Sequence, residues 1–124
     1  MHRTAKVWVV DDDSSIRWVL ERALNQANID NESFSDGDQL LQRIKTEQPD
    51  VIISDIRMPG ATGLEMLEEL RRENWSTPVI LITAFGDELI HQRAKNIGAN
   101  LILDKPFDMD LLLGVVRRIV PLSE

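Results

Sequence analysis

The sequence predicts a doubly wound α/β domain with five parallel strands and five helices, and three observations carry that prediction. Short apolar runs rich in β-branched residues alternate with stretches of helical spacing along the chain. The runs are too short for typical helices and too continuously apolar for a half-exposed sheet, so they read as strands buried on both faces. Strict alternation of the two segment types calls for right-handed crossovers, with helices on both sides of the sheet.

Each element follows in order. "KVWVV" (6 to 10) is the first strand. Ser14 or Ser15 can cap the helix after it, where Ile16, Val19, Leu20, Ala23, Leu24 and Ala27 recur at helical offsets on one face. "NESF" (31 to 34) is a weaker strand, followed by Asp36 and Gly37 ahead of Leu40, Leu41 and Ile44. "VIIS" (51 to 54) is the third strand, and Thr62 and Gly63 precede Leu64, Met66, Leu67 and Leu70. "VILIT" (79 to 83) is the fourth, with Asp87 ahead of Ile90, Ala94 and Ile97. "LIL" (101 to 103) is the fifth, with Asp108 ahead of Leu112, Val116 and Ile119. Leu111 and Val115 fall off that last stripe, which is read equally well as an exposed patch or as a broad core face.

Composition bounds the function. The 124 residues suit one domain spanning 1–124, with no further output domain expected. A chain of this size buries roughly two-thirds of its unfolded surface. A formal net charge of −7 argues against direct nucleic-acid or anionic-lipid binding. No apolar run approaches the roughly 20 residues that span a bilayer, "MHRTAK" carries no apolar signal region, and there is no cysteine. A cytoplasmic setting without membrane attachment is the expectation.

In a doubly wound fold, ligands sit beyond the carboxyl ends of the strands. Asp11 and Asp12 end the first strand, Asp55 the third, Thr83 the fourth, and Lys105 follows the fifth. Each alone has an ordinary reading as a turn former, a β-former or a solvated charge. Together they do not. Two carboxylates about 4 Å apart repel by roughly 4 kcal/mol at an effective dielectric of 20, and a third compounds the cost. A hard divalent cation, Mg²⁺, is the natural neutraliser, and it commonly accompanies phosphate. One carboxylate can then attack phosphorus, while cationic and donor groups hold the phosphoryl oxygens. Asp55 is the expected nucleophile, entering the loop "IRMPGATG" where Pro59, Gly60 and Gly63 allow a tight path; Thr83 and Lys105 are the expected phosphoryl contacts.

The set "VVDDD", "SDIRMPGATG", "LITA" and "LDKPF", spread over nearly the whole chain, resembles the receiver domain of two-component response regulators. "VWVVDDDSSIRWVLERAL" with "SDIRMPG" is most similar to the nitrogen-regulatory protein C group; from about residue 86 the likeness becomes generic. The resemblance implies a flavodoxin-like sheet of order 2-1-3-4-5 and phosphorylation of Asp55 by a sensor histidine kinase or a small phosphodonor. It makes Asp12 a direct Mg²⁺ ligand, Asp11 a largely water-mediated one, and the carbonyl of Arg57 a third protein contact beside Asp55. Thr83 becomes a switch hydroxyl, Lys105 a phosphate-binding lysine, and the bond before Pro106 cis. It also implies transcription control through an output domain in a full-length regulator, and leaves room for a homodimer on phosphorylation.

Asp13 has no such role and is expected to cap or precede the first helix. Ile102 stands where receivers carry Tyr or Phe in the switch, so the usual aromatic rearrangement cannot operate as such. Residues 84 to 103 are the expected moving element, anchored weakly through Ile90, Ala94 and Ile97. Trp18 is expected to pack over most of its surface, and Arg57 and Phe85, both large, suggest slow loss of phosphate. Two rivals compete: a receiver-like interaction module that is never phosphorylated, and a Mg²⁺-dependent aspartyl phosphatase. The phosphatase is disfavoured because its second Asp would fall on Arg57.

Overall fold

A five-stranded parallel sheet of order β2-β1-β3-β4-β5 forms the centre of the molecule. A computed structural model describes residues 6–57, 61–84 and 88–120. The elements are β1 (Lys6–Val10), α1 (Ser14–Gln26), β2 (Asp30–Phe34), α2 (Gly37–Arg43), β3 (Val51–Asp55), α3 (Gly63–Arg72), β4 (Val79–Thr83), α4 (Glu88–Ile97), β5 (Leu101–Asp104) and α5 (Met109–Ile119). The predicted strands all form. β2 begins one residue earlier than predicted, and β3 and β5 each run one residue further, to Asp55 and Asp104.

Alternation along the strands splits the core into two layers. Trp8, Val10, Ile52, Leu81 and Ile102 face α2, α3 and α4. Val7, Val9, Ile53, Ile80, Ile82 and Leu103 face α1 and α5. Burying one such side chain contributes about 1.5 to 3 kcal/mol, so the inward-facing side chains of the two layers together fix the sheet's register. β1, the turning point of the strand order, lies between β2 and β3, which places the crevice at the carboxyl ends of β1 and β3.

Helix entries carry most of the sequence signals. Asp36, Thr62 and Asp108 cap α2, α3 and α5 as expected, and Thr62 with Glu65 forms a full capping box. At the entry to α1 the capping role expected of Asp13 forms and that offered to Ser14 or Ser15 does not: Asp13 is the N-cap, its carboxylate accepting from the Ser15 amide at 2.9 Å. The expected cap at Asp87 lies outside the described residues, as do Phe85 and the Pro59–Gly60 segment.

Three expectations about helix faces change. Val19 is 44% exposed, because it sits about 100° around the helix from Leu20. Trp18 is 58% exposed, on the side opposite Leu20, where the Arg22 guanidinium lies 5.2 Å from its ring centroid. On α5 the two open readings divide: Leu111 is 55% exposed while Val115 packs partly on the core. Among the described residues no helix is long and apolar enough to cross a membrane.

Candidate functional site

The strand ends bring the predicted acidic residues together. One carboxylate oxygen from each of Asp11, Asp12 and Asp55 lies within 4.8 Å of the others, the only such acidic trio among the described residues. Asp11 and Asp55 are buried and Asp12 is exposed, so the trio opens to solvent on one side. Asp11 is held by its neighbours: its carboxylate accepts from the Asp13 amide at 2.9 Å, and its carbonyl accepts from the Arg17 guanidinium at 2.6 Å. Asp13 therefore contributes a backbone amide and a helix cap, and its side chain takes no place in the trio.

Asp55 ends a strand buried along its whole length. Gly63 makes the loop beyond it fit: a Cβ there would stand 2.4 Å from the Asp55 carbonyl oxygen, well inside contact distance, so only glycine permits that approach. The Gly63 amide closes the loop by donating to the Ile56 carbonyl at 2.9 Å. The Arg57 amide lies 3.4 Å from Asp55 Oδ1, while the Arg57 side chain is exposed.

Lys105 supplies the positive charge. Its ammonium stands 3.3 Å from Asp55 Oδ2 and 3.9 Å from Asp11 Oδ2. Its amide donates to the Thr83 carbonyl at 2.8 Å, and the Lys105–Pro106 bond is cis, as expected. Thr83 is 1% exposed and follows Ile82, the register partner of Asp55, so it lies on the neighbouring strand one residue further toward the crevice. Ile102 sits away from the carboxylates, paired in register with Leu81 beneath α4.

The electrostatics are unbalanced. Burial pushes the Asp11 carboxyl up to about 6; the Asp13 amide and Lys105 pull it down, while Asp55 and Asp12 raise it further. Among the described residues the Lys105 ammonium lies within 4 Å of two carboxylates of the trio, those of Asp11 and Asp55. An all-oxygen donor set with surplus negative charge and an open side fits a hard divalent cation that keeps part of its water.

Sequence comparisons agree with this geometry. Residues 7–117 match the response regulator receiver domain family. The DNA-binding transcriptional regulator NtrC of Escherichia coli K12 is 46% identical over 114 residues, which is 92% of this chain and 24% of that protein. The chain thus spans about a quarter of the length of such regulators. The sporulation initiation phosphotransferase F of Bacillus subtilis is 32% identical over 118 residues, covering 95% of both chains. Among solved structures, chemotaxis protein CheY4 of Vibrio cholerae superposes with a TM-score of 0.86 at 34% identity, covering 94% of this chain and 99% of its own. The receiver domain of Francisella response regulator 1452 gives 0.89 at 33% identity, covering 94% of this chain and 96% of its own.

Proposed function

The chain belongs to the response regulator receiver domain family of two-component systems, and from that premise we propose that Asp55 is its phosphoacceptor and that Asp11, Asp12, Thr83 and Lys105 serve the transfer. The family makes it a phosphorylation-controlled signalling switch. The observation that supports the residue assignment best is the Lys105 ammonium, 3.3 Å from a buried Asp55 carboxylate at the crevice between strand ends.

In the proposed step an Asp55 carboxylate oxygen forms a bond to phosphorus, and the bond from phosphorus to the donor's leaving atom breaks. The leaving group, a histidine ring nitrogen or the carboxylate of acetyl phosphate, takes the electron pair. Lys105 neutralises charge on the transferred oxygens, and the Thr83 hydroxyl donates to one of them, both of which matter most where charge accumulates in the transition state. Asp11 and Asp12, with Asp55 and the Arg57 carbonyl, would hold Mg²⁺. Bound there, the ion supplies positive charge to the phosphoryl oxygens and offsets the carboxylate repulsion. The chain's own arrangement in this way assists transfer to and release from Asp55.

Partners follow from the same reading: a sensor histidine kinase as donor, and an output domain controlling transcription in a full-length regulator such as the relative NtrC. The test is amide NMR of the protein with Mg²⁺, with and without beryllofluoride. Saturable shifts at Asp55, Thr83 and Lys105 that vanish in Asp55→Asn support the assignment; a spectrum unchanged by beryllofluoride refutes it.

A further inference from the structure

Helix α4 is weakly anchored by apolar burial. Among its described residues Ala94 alone is fully buried, with Ile90 and Ile97 packed only partly against the core. Polar contacts hold it instead. Arg71 donates to the Gly98 carbonyl at 3.0 Å just past the helix end, where Gly98 adopts a φ of +106° that suits glycine. Arg93 pairs with Glu68 of α3 at 2.9 Å. The third contact runs the other way: the His91 ring Nε2 donates to Asp104 Oδ1 at 2.9 Å.

This third contact reaches the phosphoacceptor edge and the other two do not. Asp104 is the last residue of β5, lies opposite Thr83 in the parallel register, and directly precedes Lys105. The Lys105 amide in turn bonds the Thr83 carbonyl. One hydrogen bond from α4 thus meets the strand end at the residue that pairs in register with Thr83 and precedes Lys105 in the chain. Ile102, two residues earlier, gives α4 only apolar contact.

We infer that His91 is a positioning residue: through Asp104 it latches α4 in its resting place against the strand end that carries Lys105 and faces Thr83. The role assigned to the edge rests on the phosphoacceptor reading above; the latch itself is a property of the unphosphorylated protein. Because the contact is partly solvated, with side-chain exposures of 33% and 55%, its loss shifts a two-state population by about two- to fivefold. That is enough to bias a switch and too little to unfold the domain.

A double-mutant cycle read by amide NMR tests it. In the resting protein, His91→Ala is expected to move the Thr83 and Lys105 amide resonances, and this effect is expected to vanish when His91→Ala is made in an Asp104→Ala background. His91→Gln, which keeps a donor, is expected to restore most of the wild-type positions. Unmoved Thr83 and Lys105 resonances in His91→Ala, or an equal effect with and without Asp104, overturn the latch. With Mg²⁺ present, His91→Ala is expected to bind beryllofluoride about two- to fivefold more tightly, since less is spent releasing α4; unchanged affinity also overturns it. The resting-state cycle needs no ligand at Asp55, so a wild-type protein that binds no beryllofluoride counts against the phosphoacceptor reading, and the cycle still decides the latch.

Discussion

Lys105 and Asp55 meet across the crevice at 3.3 Å, fifty residues apart in sequence, and the same ammonium lies 3.9 Å from Asp11. One ammonium thus bridges the Oδ2 atoms of two buried carboxylates, while backbone amides of Asp13 and Arg57 face their Oδ1 atoms. Its charge is expected to matter more as phosphoryl charge develops than at rest. Lys105→Met should slow phosphorylation by acetyl phosphate about a hundredfold at saturating Mg²⁺ without weakening Mg²⁺ binding, because it removes a competing cation. A rate like wild type, measured by phosphoprotein formation over time, would remove Lys105 from the transfer.

Asp11 makes the metal-free protein pH-sensitive. Its folded-state carboxyl, pushed up to about 6 by burial, lies above its ordinary value of 3.8. The folded state therefore holds the proton more tightly than the unfolded chain. The resulting stability is fully present below about pH 4 and is lost as the pH rises through 6. Asp11→Asn should stabilise the protein at pH 7.5 in EDTA by on the order of 2 to 3 kcal/mol relative to wild type, and give little gain at pH 3.5. Urea unfolding at the two pH values checks the sign; an equal gain at both would assign the effect to something other than the buried charge.

The three consecutive aspartates should separate in behaviour. Asp13→Ala loses the α1 cap and should cost about 1 kcal/mol of stability while leaving Mg²⁺ affinity unchanged. Asp12→Ala should do the reverse, weakening Mg²⁺ binding at least about tenfold with no loss of stability, since it removes a proposed ligand and relieves repulsion at once. Calorimetric Mg²⁺ titration beside chemical unfolding distinguishes them. Weakened Mg²⁺ binding in Asp13→Ala would place the wrong aspartate in the metal set.

Two glycines give opposite expectations. Gly63→Ala drives a Cβ to 2.4 Å from the Asp55 carbonyl oxygen, and should cost about 1 to 3 kcal/mol while slowing phosphorylation, because the backbone that must yield carries Asp55, the proposed phosphoacceptor. Gly114 is exposed within α5, and an added Cβ meets nothing within 4 Å, so Gly114→Ala should stabilise by about 0.5 to 1 kcal/mol. Thermal unfolding with an acetyl phosphate assay on both variants checks the pair.

The sheet was legible because β1, β3 and β4 are buried on both faces, which leaves uninterrupted apolar runs. The strand-terminal residues then followed from the fold, and Asp55, Asp11 and Lys105 do meet. Less was legible where a residue's neighbours come from another element. The face of Trp18 follows from its angle to Leu20, and the sequence expectation gave that angle too little weight against the size of the ring. Asp13 was legible as a cap of α1, but Ser14 and Ser15 are cap formers of the same rank, so the sequence left the choice among the three open. His91 and Asp104 carried no signal at all, being thirteen residues apart on a helix and a strand end; only their packing joins them.

The functional assignment turns on Asp55 accepting a phosphoryl group. Incubation with acetyl phosphate and Mg²⁺, followed by mass spectrometry under conditions that preserve acyl phosphates, tests it most directly. One phosphoryl group on the peptide containing Asp55, dependent on Mg²⁺ and absent in Asp55→Asn, is the predicted result. Modification that persists unchanged in Asp55→Asn, or none in the wild-type protein, would contradict it.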